Sequence, residues 1–231
     1  MAGDSKSIEK LIFLYKNIMD YLKNINIKLI LFYGSLLGYI RNNNFILDDD
    51  DIDVLIYQHD LIILQKYIKN NNNNTNIRIG IFDNKIVQLF WNDIGPFDIY
   101  VIEYYIDNNI NKLLLRWEDN SLFDINHIEP VKKILLHDYE IFIPNKSEIL
   151  LEIIYGKDWI IPINRSEYNS SLNTIDKIKE PFNQRFYEDI NIDLYKNSLD
   201  FNKYLWLKIL IILFIIYLTL FIFLLNNRKK K

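Results

Sequence analysis

The sequence predicts an α/β (α+β) protein, with a mixed sheet flanked by helices and one C-terminal transmembrane helix. Two observations support this fold class. Segments with apolar residues at helical spacing are interspersed with short runs rich in isoleucine, valine, phenylalanine and tyrosine, which is typical of helices and strands in one domain. A stretch of 21 almost uniformly apolar residues lies near the C-terminus. With 50% hydrophobic residues in a chain of 231, a sizeable core can form.

The composition excludes several classes of protein. The net charge is −3 and the basic residues form no stripe with aromatic residues, so we expect no nucleic-acid partner. The chain has no cysteine, which excludes disulfide bonds and zinc sites with cysteine ligands. Heavy use of asparagine and isoleucine is typical of an AT-rich genome, such as that of a giant virus or a protist parasite.

The N-terminal part of the chain predicts helices around a first strand. Apolar residues recur at helical spacing over residues 7–22, which predicts a helix packed on the core. An apolar strand follows at 27–32 and a short helix at 36–41. A further helix at 59–69 ends in the asparagine run 70–74, which we expect to form a surface loop.

Three more strands are predicted after the asparagine run. They lie at residues 77–82, 86–91 and 97–103, where β-branched and aromatic residues predominate. Asp83-Asn84 suits a tight hairpin between the first two strands. Gly95-Pro96 marks a boundary before the third strand.

An acidic run between two apolar segments is the strongest chemical signal. Five carboxylates lie within residues 48–53, and Asp49, Asp51 and Asp53 alternate, so they share one face if the segment is extended. Carboxylates this close repel one another unless a cation neutralises them. Mg²⁺ or Mn²⁺ takes such oxygen ligands and keeps positions open for phosphates. The alternative is a solvated acidic turn.

A calcium loop of the EF-hand type does not fit the same run. Its frame needs glycine at the sixth position for a sharp turn, and Val54 occupies that position here.

The segment before the acidic run is a candidate phosphate site. Gly34 and Ser35 follow the first strand and precede the short helix, where free backbone N–H groups suit a phosphate. Arg41 lies nearly two helical turns after Gly34 and could donate two N–H hydrogen bonds to the phosphate. A surface ion pair with the acidic run is the alternative for Arg41. An ordinary strand-to-helix turn is the alternative for the Gly-Ser pair.

Asp98 interrupts the apolar strand at 97–103. A charge in such a strand is costly unless it is paired or binds a metal. It is therefore either a further ligand of the cation or an edge aspartate paired with a lysine, and Glu103 is a weaker candidate for the same role. Four other basic residues could meet donor phosphates but are more typical of surface positions: Arg116, His127, Lys132 and Lys133.

These motifs together resemble the signature of the LicD/fukutin family, which has the nucleotidyltransferase fold. The matching residues are YGSLLG at 33–38, Arg41, Phe45-Ile46 and the acids Asp49-Asp50-Asp51-Ile52-Asp53. Supporting matches extend the resemblance over 27–163, including a helix at 147–159 that ends near Tyr155-Gly156. One departure is Leu47-Asp48, where the family usually has Pro-Trp.

The resemblance implies a site and an activity. Asp51, Asp53 and Asp98 would be catalytic, and with Asp49 they would bind Mg²⁺ or Mn²⁺. Asp98 would complete the metal shell or accept the proton of the acceptor hydroxyl. Gly34, Ser35 and Arg41 would bind the donor phosphate.

The implied reaction moves phosphocholine or a phospho-sugar alcohol from a CDP-linked donor to a glycan or glycoconjugate acceptor. Two alternatives stay open. The first is a nucleotidyltransferase that uses a nucleoside triphosphate. The second is a membrane-anchored binding protein that keeps the fold without turnover.

The rest of the chain predicts a membrane anchor. A family-like domain at 1–163 is followed by a polar linker at 164–203, a single transmembrane helix at 204–226 and a basic tail at 227–231. The basic tail favours a cytosolic C-terminus and a luminal domain. The lack of an N-terminal signal favours a tail anchor with a cytosolic domain, so the side of the membrane stays open.

Overall fold

A computed structural model describes residues 6–47, 49–71, 74–82, 86–107, 110–115 and 122–162. Several predictions concern other parts of the chain: the hairpin residues Asp83-Asn84, the departure at Asp48, the linker, the transmembrane helix and the basic tail all lie outside the described residues. Within the described ranges, no helix is both long enough and apolar enough to cross a membrane.

Five helices are described. They are α1 (Lys6–Leu22), α2 (Tyr33–Asn42), α3 (Gln58–Asn70), α4 (Ile125–Ile128) and α5 (Ser147–Tyr155). The helix α1 presents one apolar stripe, and Leu14, Tyr15 and Ile18 on that stripe are fully buried. The helix α5 stops at Gly156, whose positive φ of 87° is a conformation that glycine adopts readily.

In the described part of the chain, nine strands form one mixed sheet. They are β1 (Leu29–Leu31), β2 (Ile52–Tyr57), β3 (Ile77–Phe82), β4 (Ile86–Trp91), β5 (Ile94–Asp107), β6 (Ile110–Leu115), β7 (Leu122–Asp124), β8 (Lys132–Leu136) and β9 (Tyr139–Ile143). Seven of them follow the order β3-β4-β5-β2-β1-β9-β8, while β6 pairs with the far part of β5 and β7 pairs with β6. The pairs β1–β9 and β2–β5 are parallel and the other pairs are antiparallel. The sheet is therefore mixed, as the sequence predicts.

The centre of the sheet is buried on both faces. The strand β2 runs parallel to β5 and antiparallel to β1. All six residues of β2 are buried. Successive side chains of a strand point to opposite faces. One face, which includes Leu55, Tyr57 and Tyr100, packs in a cluster with Leu150 and Ile154 of α5. Helices α1 and α3 contact the same central strands.

A close approach between α2 and the next loop fixes the path of the chain toward β2. A Cβ at Gly38 would lie 2.6 Å from the Asn44 carbonyl oxygen and 2.8 Å from the Ile46 nitrogen. Both are backbone atoms, so a side chain at this position would force the loop away. Glycine thus allows the loop that carries the acidic run to lie against the helix.

Several predicted elements match the structure and others need correction. The strands β3 and β4 have the predicted bounds, and α3 differs by one residue at each end. The strand β5 begins earlier than predicted, because Gly95-Pro96 lies inside it next to a register shift between Leu89 and Trp91. A proline can occupy such an irregularity because no ladder bond needs its nitrogen there.

The acidic run is also less regular than the alternation suggests. Only Asp53 lies in β2, which begins at Ile52, while Asp49 and Asp51 belong to the connection before the strand. Strand alternation therefore does not place Asp49, Asp51 and Asp53 on one face. The strands β6, β7 and β8 and the short helix α4 were not predicted.

Candidate metal centre

The parallel pairing of β2 with β5 brings two acids side by side. Asp53 and Asp98 are register partners on these adjacent strands. Partners on neighbouring strands lie about 4.8 Å apart and point to the same face. Both side chains are buried, with 5% and 6% of their surface exposed. Two acids separated by 45 residues of sequence thus form one buried pair.

Asp51 completes a group of three carboxylates. One carboxylate oxygen from each of Asp51, Asp53 and Asp98 lies within 4.8 Å of the others, a spacing at which one ion can contact all three. Asp49, Asp50 and Asp51 form a second group by the same measure, in more exposed positions. Asp51 belongs to both groups. Asp49 is thus grouped with its sequence neighbours and not with the buried pair.

Asp53 is fixed by hydrogen bonds on both of its oxygens. The backbone N–H of Gly34 donates to Oδ2 at 3.1 Å, and the hydroxyl of Tyr100 donates to Oδ1 at 3.0 Å. The backbone N–H of Asp53 itself donates to Ser35 Oγ at 2.9 Å. The side chain and backbone of Asp53 are therefore held by the first turn of α2 and by β5.

Asp98 has a neutral partner. The side-chain amide of Gln88, on β4, donates to Asp98 Oδ1 at 3.0 Å. The lysine partner weighed for Asp98 as an alternative is not what the structure shows. Because an amide carries no charge, Asp98 keeps its full negative charge when ionised.

Burial and mutual repulsion raise the pKa of both buried acids. Loss of hydration raises the pKa of Asp98 to about 7, opposed by the bond from Gln88 and reinforced by the charges of Asp51 and Asp50. The pKa of Asp53 is raised well above its ordinary value, first by burial and then by its acidic neighbours, whereas the bond from Tyr100 lowers it. A cation between these groups would remove the cost of ionising them.

The predicted phosphate contacts Gly34 and Ser35 lie in the first turn of α2 and not before it. The Gly34 N–H donates to Asp53. Ser35 is only 1% exposed and accepts from the Asp53 backbone. A Cβ at Gly34 would lie 2.3 Å from Asp49 Oδ2, so glycine lets the carboxylate approach the helix. Both residues therefore hold the acids in place.

The predicted phosphate contact Arg41 has another partner. Its guanidinium donates to the carbonyl oxygen of Ile161 at 3.1 Å, and its Nε is buried without a hydrogen-bond partner. Burial lowers the pKa of this guanidinium. Arg41 thus ties α2 to the segment that follows α5.

Two of the remaining basic candidates make surface contacts, and Glu103 lies on the face of the sheet opposite to that of Asp98. Lys133 forms an ion pair with Glu140 at 2.9 Å, and the Lys132 ammonium donates to the Asn145 carbonyl. His127 is half-buried in α4, and Arg116 lies outside the described residues. Glu103 is five residues after Asp98 on β5 and so points to the opposite face of the sheet.

Three residues of the site were not among the site residues predicted from the sequence. Asp50 belongs to the outer acidic group, Tyr100 holds Asp53 and Gln88 holds Asp98. A signal existed for Gln88, because it interrupts the apolar strand IVQLFW as Asp98 interrupts its own strand. Tyr100 gives no such signal, since a tyrosine in an apolar strand is ordinary.

A groove lies at the other end of the same two strands. Its volume is about 200 Å³, and its lining includes Tyr57, His59, Ile62 and Tyr104. Tyr57 follows Asp53 by four residues, which places the groove about 13 Å along the strand from the acids. Small-molecule sites usually measure about 300–1,000 Å³, so the groove is smaller than a typical ligand pocket.

The donor set of the acid cluster fits a hard divalent cation. All candidate ligands are carboxylate oxygens, and neither histidine nor cysteine occurs in the two groups of acids. Oxygen-only sites select Mg²⁺, Mn²⁺ or Ca²⁺ over zinc and copper. Asp51, Asp53 and Asp98 could hold one ion, and Asp49 and Asp50 could contribute from the outer group.

The fold and the cluster define an α/β protein with a group of converging carboxylates on a mixed sheet, beside the first turn of a helix. The model of the LicD/FKTN/FKRP family, nucleotidyltransferase domain, matches residues 26–146, just over half of the chain. The chain belongs to this family, which confirms the predicted resemblance and identifies a transferase-type domain.

Among solved structures, one similar chain is the lincosamide antibiotic adenylyltransferase LnuA in its lincomycin-bound crystal structure, at 14% identity and a TM-score of 0.40. The similarity covers 65% of this chain and 85% of that one. A search of curated proteins finds no match.

Proposed function

We propose that the chain is a metal-dependent phosphotransferase. It transfers phosphocholine or a phospho-sugar alcohol from a CDP-linked donor to a hydroxyl group of a glycan or glycoconjugate. The observation that carries the proposal is the convergence of Asp51, Asp53 and Asp98 from two strands and a loop to within 4.8 Å. Membership of the LicD/FKTN/FKRP family supports a transferase of this type.

The energetics of the cluster support a bound cation. Burying a charged carboxylate without a cationic partner costs several kcal/mol. Asp53 and Asp98 have hydrogen-bond donors that carry no charge, namely Gly34, Tyr100 and Gln88. In the proposed function Mg²⁺ or Mn²⁺ is the missing counter-charge, bound by Asp51, Asp53 and Asp98 with Asp49 in support.

The proposed reaction forms one bond and breaks one. The acceptor hydroxyl oxygen bonds to the phosphorus that carries the alcohol, the bond from this phosphorus to the bridging oxygen breaks, and CMP leaves. The acceptor proton passes to solvent or to a carboxylate of the site. A bound divalent ion supplies charge neutralisation at the phosphoryl oxygens.

In this scheme the protein residues position the donor phosphate and the acceptor hydroxyl. The first turn of α2 faces the acids, and its N-terminal dipole favours a phosphate there. Gly34 lets the Asp49 carboxylate lie close to the first turn of α2, and Ser35 fixes the start of β2 through the Asp53 backbone. Holding the donor phosphate and the acceptor hydroxyl in line accounts for much of the rate enhancement in such reactions.

A donor panel tests the proposed function. The purified full-length chain, with Mg²⁺ or Mn²⁺, is incubated with CDP-choline, CDP-ribitol, CDP-glycerol and nucleoside triphosphates. We expect release of CMP from one CDP-linked donor and no such release with EDTA. Pyrophosphate release from a nucleoside triphosphate would instead identify a nucleotidyltransferase. No turnover and no binding of any donor would overturn the proposal and favour the non-catalytic alternative.

We also propose that the C-terminal segment 204–226 anchors the domain in a membrane as a single-pass helix. Residues 205–225 contain one charged side chain, Lys208, close to the start where it can reach the interface. We expect the full chain to stay with the membrane fraction after alkaline carbonate extraction, and a variant without residues 204–231 to be released. Release of the full chain would contradict the anchor.

A further inference from the structure

Four neighbouring strands place four residues in one line across the sheet. The register pairs Gly80 of β3 with Gln88 of β4, Gln88 with Asp98 of β5, and Asp98 with Asp53 of β2. Register partners lie about 5 Å apart and point to the same face. The line therefore runs from a glycine without a side chain, through an amide, to the two buried acids.

Gln88 is an unusual residue for its position. It lies in a strand whose other side chains are apolar, and it is half-buried. A buried amide is costly unless it is hydrogen-bonded. Its Nε2 donates to Asp98 Oδ1 at 3.0 Å. Only the NH₂ end of the amide can bond to an ionised carboxylate, so the chemistry fixes the orientation of the amide.

Gly80 leaves the space in which the Gln88 side chain lies. A Cβ built at Gly80 would be 3.7 Å from Gln88 Oε1, 3.8 Å from Gln88 Cβ and 3.6 Å from the Phe90 ring. These are ordinary contact distances, so one methyl group fits at this position. A branched side chain would extend further toward the amide and displace it.

We propose that Gln88 is a positioning residue, which holds Asp98 so that Oδ2 is directed to the cation shared with Asp51 and Asp53. The role rests on the proposed function. Among the described residues, Gln88 is the hydrogen-bond donor to Asp98, and it occupies Oδ1. The other carboxylate oxygen then remains for the ion.

The neutrality of the donor matters as much as its geometry. A lysine or arginine at position 88 would orient Asp98 equally well but would supply the positive charge that the ion has to supply. An amide orients the carboxylate and leaves its charge for the metal. Partners that orient a metal ligand typically change metal affinity about 10- to 100-fold when they are removed.

The test measures Mn²⁺ affinity of the full-length chain by isothermal titration calorimetry, with free Mn²⁺ followed by electron paramagnetic resonance. Gln88→Met keeps the size of the side chain and removes the donor. We expect its Kd for Mn²⁺ to rise about 10- to 100-fold. The matched control is Tyr57→Phe, which removes a donor from the carboxylate of Glu129, outside the metal centre. We expect the control to keep the parent Kd.

A second variant keeps Gln88 but displaces its side-chain amide. Gly80→Val adds a branched side chain against the amide, so we expect Mn²⁺ binding to weaken in the same direction as in Gln88→Met. This variant keeps the proposal testable if Gln88→Met does not fold.

The outcomes separate this role from the proposed function. Equal Mn²⁺ affinity in the parent and in folded Gln88→Met or Gly80→Val would overturn the role of Gln88 while leaving the phosphotransferase proposal standing. Equal weakening in Tyr57→Phe would also overturn it, because the effect would then be one of general stability. A parent chain that binds no Mn²⁺ would overturn both.

Discussion

Asp53→Asn is expected to lower the transfer rate by about 10³-fold, because it removes one charge from the cluster that would bind the cation. Asn keeps the size of the side chain; its carbonyl oxygen can accept from the Gly34 N–H, and its NH₂ can donate to the Tyr100 hydroxyl oxygen. The fold should therefore survive. The rate is measured as CMP release from the donor that the panel identifies.

The same variant should be more stable than the parent when metal is removed. Burial and neighbouring acids raise the pKa of Asp53, so its charge destabilises the metal-free fold. The expected result is a higher melting temperature in EDTA together with lost activity. Asp93→Asn, at an exposed carboxylate that pairs with Arg78, is the control and should change neither quantity. Activity of Asp53→Asn within tenfold of the parent would contradict the metal role.

The metal-free chain is expected to lose stability as the pH rises from about 4 to about 7. Carboxyl groups in unfolded chains have a pKa of about 4. Burial raises the pKa of Asp98 to about 7. Over this interval the folded chain binds more protons than the unfolded chain, so the free energy of unfolding falls with pH. One such group contributes at most about 1.4 kcal/mol per pH unit.

Added Mg²⁺ should reverse this loss above pH 7, where the acids are ionised and available. A concentration of 100 times Kd stabilises the fold by about 2.7 kcal/mol, or roughly 5–10 °C in Tm. Melting curves with EDTA and with Mg²⁺ from pH 4 to 8 measure both effects. Asp98→Asn should flatten the pH dependence relative to the parent. A parent curve that Mg²⁺ does not shift at pH 8 would contradict the site.

Local patterns predict the outer elements of the fold well. The β-branched and aromatic composition of residues 77–82 and 86–91 places β3 and β4 at their observed bounds, and apolar spacing places α3 within one residue at each end. Pro96 misleads the same reasoning, because a proline normally ends a strand. Pro96 fits in β5 because it lies next to a register shift in the pairing with β4. That pairing cannot be predicted from the local sequence.

The candidate site is predicted in part. The acids themselves stand out as charges in or beside apolar strands, and the resemblance to the family links Asp98 to Asp51 and Asp53. The side-by-side arrangement of Asp53 and Asp98 follows from the parallel register of β2 and β5. This register is a feature of the tertiary structure. Gln88 and Tyr100 contact the acids only because of that register, so sequence spacing alone could not give them these roles.

The register of β5 has a genetic consequence. Side chains along a strand change face at every step, so an inserted residue that slipped β5 by one position against β2 would turn Asp98 toward the helices α1 and α3 without changing any acidic residue. A sequence comparison that checks only whether the aspartates are present would miss this loss of Asp98 from the acid cluster. For relatives of this chain, the pairing register of β5 with β2 and β4 is as informative as the acidic residues themselves.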